Sequence, residues 1–310
     1  MRIDCGVDQA EGLRRLLICN QTQVISVVAG KAGVGRTSTT INLATALAHS
    51  GKNVLVLDEN HAPNNLPDRL GLFPKHDLLD VAQGKCRLHE AVLTDRGFCI
   101  LPTARAMHAV QRTEDKQATL KREEQQRLKK ALTEASDGVD VMLVDTAMLV
   151  GQATVSSSLV SGAALLLVVE ATPSGITESY ALIKRLATEN VRQHFEIVVN
   201  KAGNEKAAMT VFENMANVTR RNLPAHLEYL GYIPFDDRVN YATQLGKSVI
   251  EAFPAAASAK SYVKLSQKLL RLPMQHDEAE GGVSAIIQNL MRQMPQPATL
   301  ARCYEASGAG

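Results

Sequence analysis

The densest chemistry in the chain lies between Val24 and Thr37, VISVVAGKAGVGRT. Gly30, four further residues, and then Gly35, Arg36 and Thr37 have the spacing of a phosphate-binding loop, with arginine where lysine is usual. Glycines let the backbone turn so that successive N–H groups converge on phosphate oxygens, and the start of the following helix adds partial positive charge. Gly30, Lys31, Ala32, Gly33, Val34, Gly35, Arg36, Thr37 and Ser38 are therefore the candidate nucleotide-binding residues, with the Thr37 hydroxyl directed to Mg²⁺. Arginine keeps the cation and can pair bidentately with phosphate, but it is bulkier than lysine. A methyl at Ala32 fits only if that residue keeps a negative φ. An ordinary glycine-rich strand-to-helix turn is the plain alternative.

Acidic residues at strand ends are the next candidates. Asp58 closes the apolar run NVLVLD and Asp145 closes VDVMLVD. In an open parallel sheet ligands bind outside the carboxyl ends of strands, so Asp58 should face the phosphates and Asp145 should hold the Mg²⁺ shell. For Asp145 a helix-capping role is the alternative. Asn60, two residues after Asp58, can hydrogen-bond a water but cannot take its proton as a carboxylate would.

These groups must be positioned by something, and the chain supplies apolar runs alternating with helical stretches. The runs at 24–29, 53–58, 98–101, 139–145, 163–169, 196–200 and 227–233 predict buried parallel strands. The fold class expected is α/β, a mostly parallel sheet flanked by helices. Residues 117–135 read as a charged, solvated helix. At 310 residues the chain has room for one large domain with extensions: 1–21, 22–272 and 273–310. A formal charge of +2 gives no basic surplus, so no nucleic acid is expected as a partner. Five cysteines without a CxxC pair read as reduced thiols in a cytoplasmic protein. No apolar signal region is visible near the N-terminus, and 163–169 is far short of the ~20 residues that span a bilayer.

Both ends carry amphipathic signals. Asp8 followed by Glu11 resembles a capping box, with Ala10, Leu13, Leu16 and Leu17 on one face. Beyond an acidic linker at 276–282, Val283, Ile286, Ile287, Leu290, Met291 and Met294 recur on one face of a second predicted helix. Docking back on the parent domain is the alternative for each. The residues from 295 onward read as a disordered tail.

With Lys31 directly after the first glycine, KAGVGRT resembles the KGGxGKT loop of the deviant-Walker-A ATPases, the MinD/ParA group. The resemblance covers about 23–272 and implies a P-loop NTPase fold of the MinD-like type, ATP and Mg²⁺ as cofactors, and ATP hydrolysis. It also implies an ATP-dependent homodimer in which Lys31 reaches the partner's nucleotide. The family's DxD places a metal-side Asp at Asp58 and a water-activating Asp where this chain has Asn60; with Arg36, that departure weakens the expected turnover. Asn200, Pro234 and Asp236 match the family's base-side positions.

DQAxxLR near the N-terminus is similar to the activator motif of the FlhG/FleN (YlxH) branch, which regulates flagellar number and placement. By that likeness Asp8, Gln9, Ala10, Leu13 and Arg14 would dock on FlhF, an SRP-type GTPase, with Gln9 orienting the attacking water. The terminal helix would bind the inner membrane at the cell pole. A flagellar switch component or a transcription activator would be the further partner. A nucleotide-gated scaffold with little catalysis, and a ParA-type partitioning ATPase on DNA, are the competing expectations.

Overall fold

A computed structural model of the chain describes residues 22–60, 63–111, 120–147, 159, 164–272 and 282–293. Its strands are β1 (Gln23–Val28), β2 (Val54–Asp58), β3 (Leu93–Asp95), β4 (Phe98–Pro102), β5 (Val141–Asp145), β6 (Ala164–Glu170), β7 (His194–Ala202) and β8 (His226–Pro234). Between β1 and β2 runs α1 (Arg36–His49). Short helices α2 (Leu66–Arg69), α3 (Leu78–Ala82) and α4 (Leu88–Ala91) precede β3. Helices α5 (Ala104–Gln111) and α6 (Arg122–Ala135) follow β4, α7 (Pro173–Thr188) follows β6, and α8 (Glu205–Asn222) follows β7. After β8 come α9 (Arg238–Gln244), α10 (Val249–Ala252), α11 (Ala257–Leu269) and α12 (Val283–Gln293).

The strands form one sheet in the order β3-β4-β2-β5-β1-β6-β7-β8, parallel throughout except for β3 against β4. Every residue of β2 and β5 is buried, which explains why these runs read as unbroken aliphatic stretches: helices cover both sheet faces. Alternate residues then serve opposite cores. Val56 and Leu143 pack with Leu43, Leu47 and Tyr262 on one face, while Leu55, Leu57, Met142 and Val144 pack with Leu128 and Leu132 on the other. Strand β1 lies between β5 and β6, so the order reverses on its two sides and a crevice opens at its carboxyl end.

Helix α6 is half-buried rather than wholly solvated: Gln125, Leu128, Ala131 and Leu132 face the core. Helix α12 completes that layer. Ile286, Ile287 and Leu290 are buried in the same core as Leu128 and Leu132, and Val283 packs at its margin. The face expected at a membrane is thus folded against the chain's own domain in this structure, the alternative left open for it above. No helix among the described residues is long and apolar enough to cross a membrane. The side chain of Met291, the whole of Met294, the DQAxxLR segment (Asp8, Gln9, Ala10, Leu13, Arg14), the linker and the tail lie outside the described residues.

Candidate nucleotide site

Gly30 leaves β1 where a side chain would have no room: an added Cβ would meet the backbone oxygen of Glu178 in α7 at 2.4 Å. Gly33 and Gly35 take φ of +79° and +98°, a region closed to most side chains. Ala32 is exposed and is not among the residues of positive φ, so its methyl meets the condition set by the sequence. Gly35 caps α1, whose first residues Arg36 and Thr37 are buried.

Asp145 sits beneath this turn with no exposed surface. Its carboxylate accepts from Arg36 Nε at 2.9 Å, from the Thr37 hydroxyl at 2.8 Å and from the Thr40 hydroxyl at 3.4 Å. Arg36, expected on a phosphate, is here engaged with the strand-end carboxylate. Asp58 lies opposite Asp145 in the β2–β5 ladder. Its side chain accepts the N–H groups of Asn60 at 3.0 Å and Leu66 at 3.3 Å. Burial first, and Asp145 second, push the Asp58 carboxyl up from 3.8 to about 8. Two carboxylates and a hydroxyl, all hard oxygen donors, fit Mg²⁺, and a divalent cation would relieve the like-charge conflict between Asp58 and Asp145.

One cavity of about 290 Å³ gathers most of the predicted residues: Lys31, Ala32, Gly33, Gly35, Arg36, Thr37, Ser38, Asn60, Asn200, Pro234 and Asp236 all line it. Gly30 and Val34 shape the loop from behind; Val34 is buried in the core. Asn60 forms part of the wall. Asn200, matched to a base contact by resemblance, uses its amide on the loop itself, donating to the Val34 carbonyl at 2.7 Å. Asp236 accepts from the Ser258 hydroxyl at 2.8 Å, tying the β8 end to α11.

Two contributors, Arg69 and Lys201, escaped the sequence, and Phe235 of the base-side segment joins them. Arg69 on α2 donates to the Ser38 hydroxyl at 3.1 Å. Lys201 places its ammonium 2.8 Å from both the Gly33 carbonyl and Glu170 Oε1. Phe235 lines the cavity while remaining 64% exposed, a flat apolar surface beside polar walls. The signal for Arg69 was present in Asn65-Leu66-Pro67, a cap followed by proline that starts a helix. Lys201 had only its place after a strand-end asparagine.

Comparison with known proteins agrees with this geometry. Residues 22–197 match the family model of an AAA domain. The antiactivator FleN of Pseudomonas aeruginosa is 35% identical over 253 residues, covering 81% of this chain and 88% of that protein. The flagellum site-determining protein YlxH of Helicobacter pylori is 26% identical over 214 residues, 68% of this chain and 69% of its own. The solved MinD cell division protein of Aquifex aeolicus superposes with a TM-score of 0.60 at 25% identity, covering 82% of this chain and all of that one. The chain belongs to the MinD/ParA-type P-loop ATPases, in the branch that contains FleN.

Proposed function

We propose that this chain is an ATP-dependent switch that regulates the number and placement of flagella. The likeness to FleN across 88% of that protein's length, with a KAGVGRT loop that lines a cavity, carries the reading. The loop's N–H groups hold the phosphates. Thr37, Asp145 and Asp58 would hold Mg²⁺, which would supply neutralisation of phosphate charge. Arg36 has two anionic partners to choose between, Asp145 and the phosphates. ATP occupancy favours a two-fold dimer with Lys31 crossing to the partner's nucleotide. The N-terminal DQAxxLR segment stimulates the FlhF-type GTPase, and dimerisation frees α12 for a membrane surface.

A second reading, a nucleotide-gated scaffold that hydrolyses ATP poorly, is favoured by two observations. Arg36 is tied to Asp145, and Asn60 offers the cavity an amide in place of a carboxylate. Side-by-side measurement of ATP binding and phosphate release separates the two, with Arg36→Lys/Asn60→Asp as the repaired control. Turnover by the native chain supports the ATPase cycle. Binding with release only after repair supports the scaffold, and absence of binding refutes both. The flagellar role is tested by deleting the gene and counting flagella per cell; an unchanged count and position refutes it. Unaltered stimulation of the GTPase by a Gln9→Ala chain would remove the activator role.

A further inference from the structure

Two consecutive residues at the carboxyl end of β7 grip two consecutive carbonyls of the phosphate loop. Asn200 Nδ2 donates to the Val34 oxygen at 2.7 Å and Lys201 Nζ donates to the Gly33 oxygen at 2.8 Å. A trans peptide points its C=O and its N–H in opposite directions within one plane. Drawing the Gly33 and Val34 carbonyls toward β7 therefore turns the N–H groups of Val34 and Gly35 the other way. The grip leaves little slack: an added Cβ at Gly35 would lie 2.3 Å from Asn200 Nδ2.

The β7 end is built for this. Its pairing with β8 shifts register between Val199 and Ala202, a bulge-like irregularity that re-aims side chains out of the ladder. Lys201 within it has φ of +56°, a left-handed conformation uncommon for a residue with a long side chain. Such backbones persist where the surroundings over-determine them, and they concentrate at functional sites. The Lys201 ammonium is fixed from its far side by Glu170 Oε1 at 2.8 Å, and that contact holds the Glu170 carboxyl below its ordinary range. Glu170 stands at the end of β6, paired with Asn200 across the sheet. A Glu170–Lys201–Gly33 chain thus ties the ends of β6 and β7 to the loop.

We infer that Lys201, held by Glu170, is a positioning residue that pre-sets the phosphate loop, orienting the Val34 and Gly35 N–H groups before a nucleotide arrives. This rests on the reading that the loop takes a nucleotide's phosphates. Pre-orientation of donors spares a ligand the cost of ordering them, so the loss of Lys201 should appear in affinity.

The test compares Lys201→Asn and Lys201→Arg in the full chain, measuring Kd for Mg²⁺-ATP and Mg²⁺-ADP by calorimetry and Tm in parallel. Asparagine tolerates the left-handed backbone better than lysine, so a purely structural change predicts unaltered affinity. We expect Lys201→Asn to bind about tenfold more weakly, the scale of one charge-assisted hydrogen bond, with Tm unchanged or raised. Lys201→Arg, keeping a cation between Gly33 and Glu170, should recover most of the affinity. Native Kd in Lys201→Asn, an arginine variant as weak as the asparagine one, or a weakened Kd accompanied by a lowered Tm would each overturn the inference. A native chain without affinity for either nucleotide would instead overturn the phosphate reading beneath it.

Discussion

Arg36 and Asp145 form a buried ion pair, with side chains 8% and 0% exposed and a separation of 2.9 Å. Truncating one partner strands the other, and breaking such a pair by removing one charge costs about 3–5 kcal/mol. In Arg36→Met the Thr37 and Thr40 hydroxyls still donate to Asp145, which places the loss near the lower end, about 3 kcal/mol. For a domain of this size that corresponds to a Tm fall of roughly 6–12 °C. Asp145→Asn strands the guanidinium instead and should cost a similar amount. Combining the two changes leaves no charge to strand, so the double variant should be less destabilised than the sum, by about 2 kcal/mol or more. The assay is urea unfolding with EDTA at fixed pH, repeated with millimolar Mg²⁺. Added Mg²⁺ should restore part of the stability of Arg36→Met, because the ion would face Asp145 and Asp58 in place of the lost guanidinium. Additive losses in the double variant, or a single-variant loss below about 1 kcal/mol, would refute the reasoning.

Three further outcomes follow from the same geometry. Asp58 keeps its proton to about pH 8 when folded against 3.8 ordinarily, so the folded state binds the extra proton and metal-free stability should fall as pH rises from about 4 to 8. Asp58→Asn should flatten that slope in denaturant midpoints taken at pH 5 and pH 8, and an unchanged slope assigns it elsewhere. Gly35→Ala should abolish measurable ATP binding by calorimetry, since its φ is +98° and its methyl would strike Asn200, whereas Gly33→Ala, with open space around it, should retain some. Leu290→Ala removes a side chain 1% exposed from the α12 interface, which should weaken docking by about 2–5 kcal/mol and raise hydrogen exchange across α12 without unfolding the sheet.

Much of the sheet was legible because parallel strands covered on both faces must be apolar throughout, as VLVLD and VMLVD are. Strand ends shifted by one or two residues: β7 runs from His194 to Ala202, beyond the expected 196–200, because ladder pairing tolerates polar residues at the sheet's margins. The loop was legible because glycine spacing encodes backbone conformation directly. What the chain did not disclose was which partner each polar group would take. Arg36 could face phosphate or Asp145, and Asn200 a base or the loop; only the packed arrangement chooses. Lys201 was unreadable, since its contact with Gly33 joins residues 168 apart. The apolar stripe of α12 was evident, yet a stripe states only that something covers it, and Leu128 and Leu132 on α6 share its core.

Thr22 and Gly282 meet at the start of β1: an added Cβ on Gly282 would lie 3.2 Å from the Thr22 oxygen. The points where the N-terminal segment joins the domain and where α12 begins are therefore one place. It stands at the opposite end of β1 from the phosphate loop, six residues or roughly 20 Å away. Among the described residues β1 joins the loop to that junction directly, as a stiff rod clamped along its sides by β5 and β6. Such a rod transmits displacement rather than slack, so a small shift of the loop would be felt at the root of both terminal segments together.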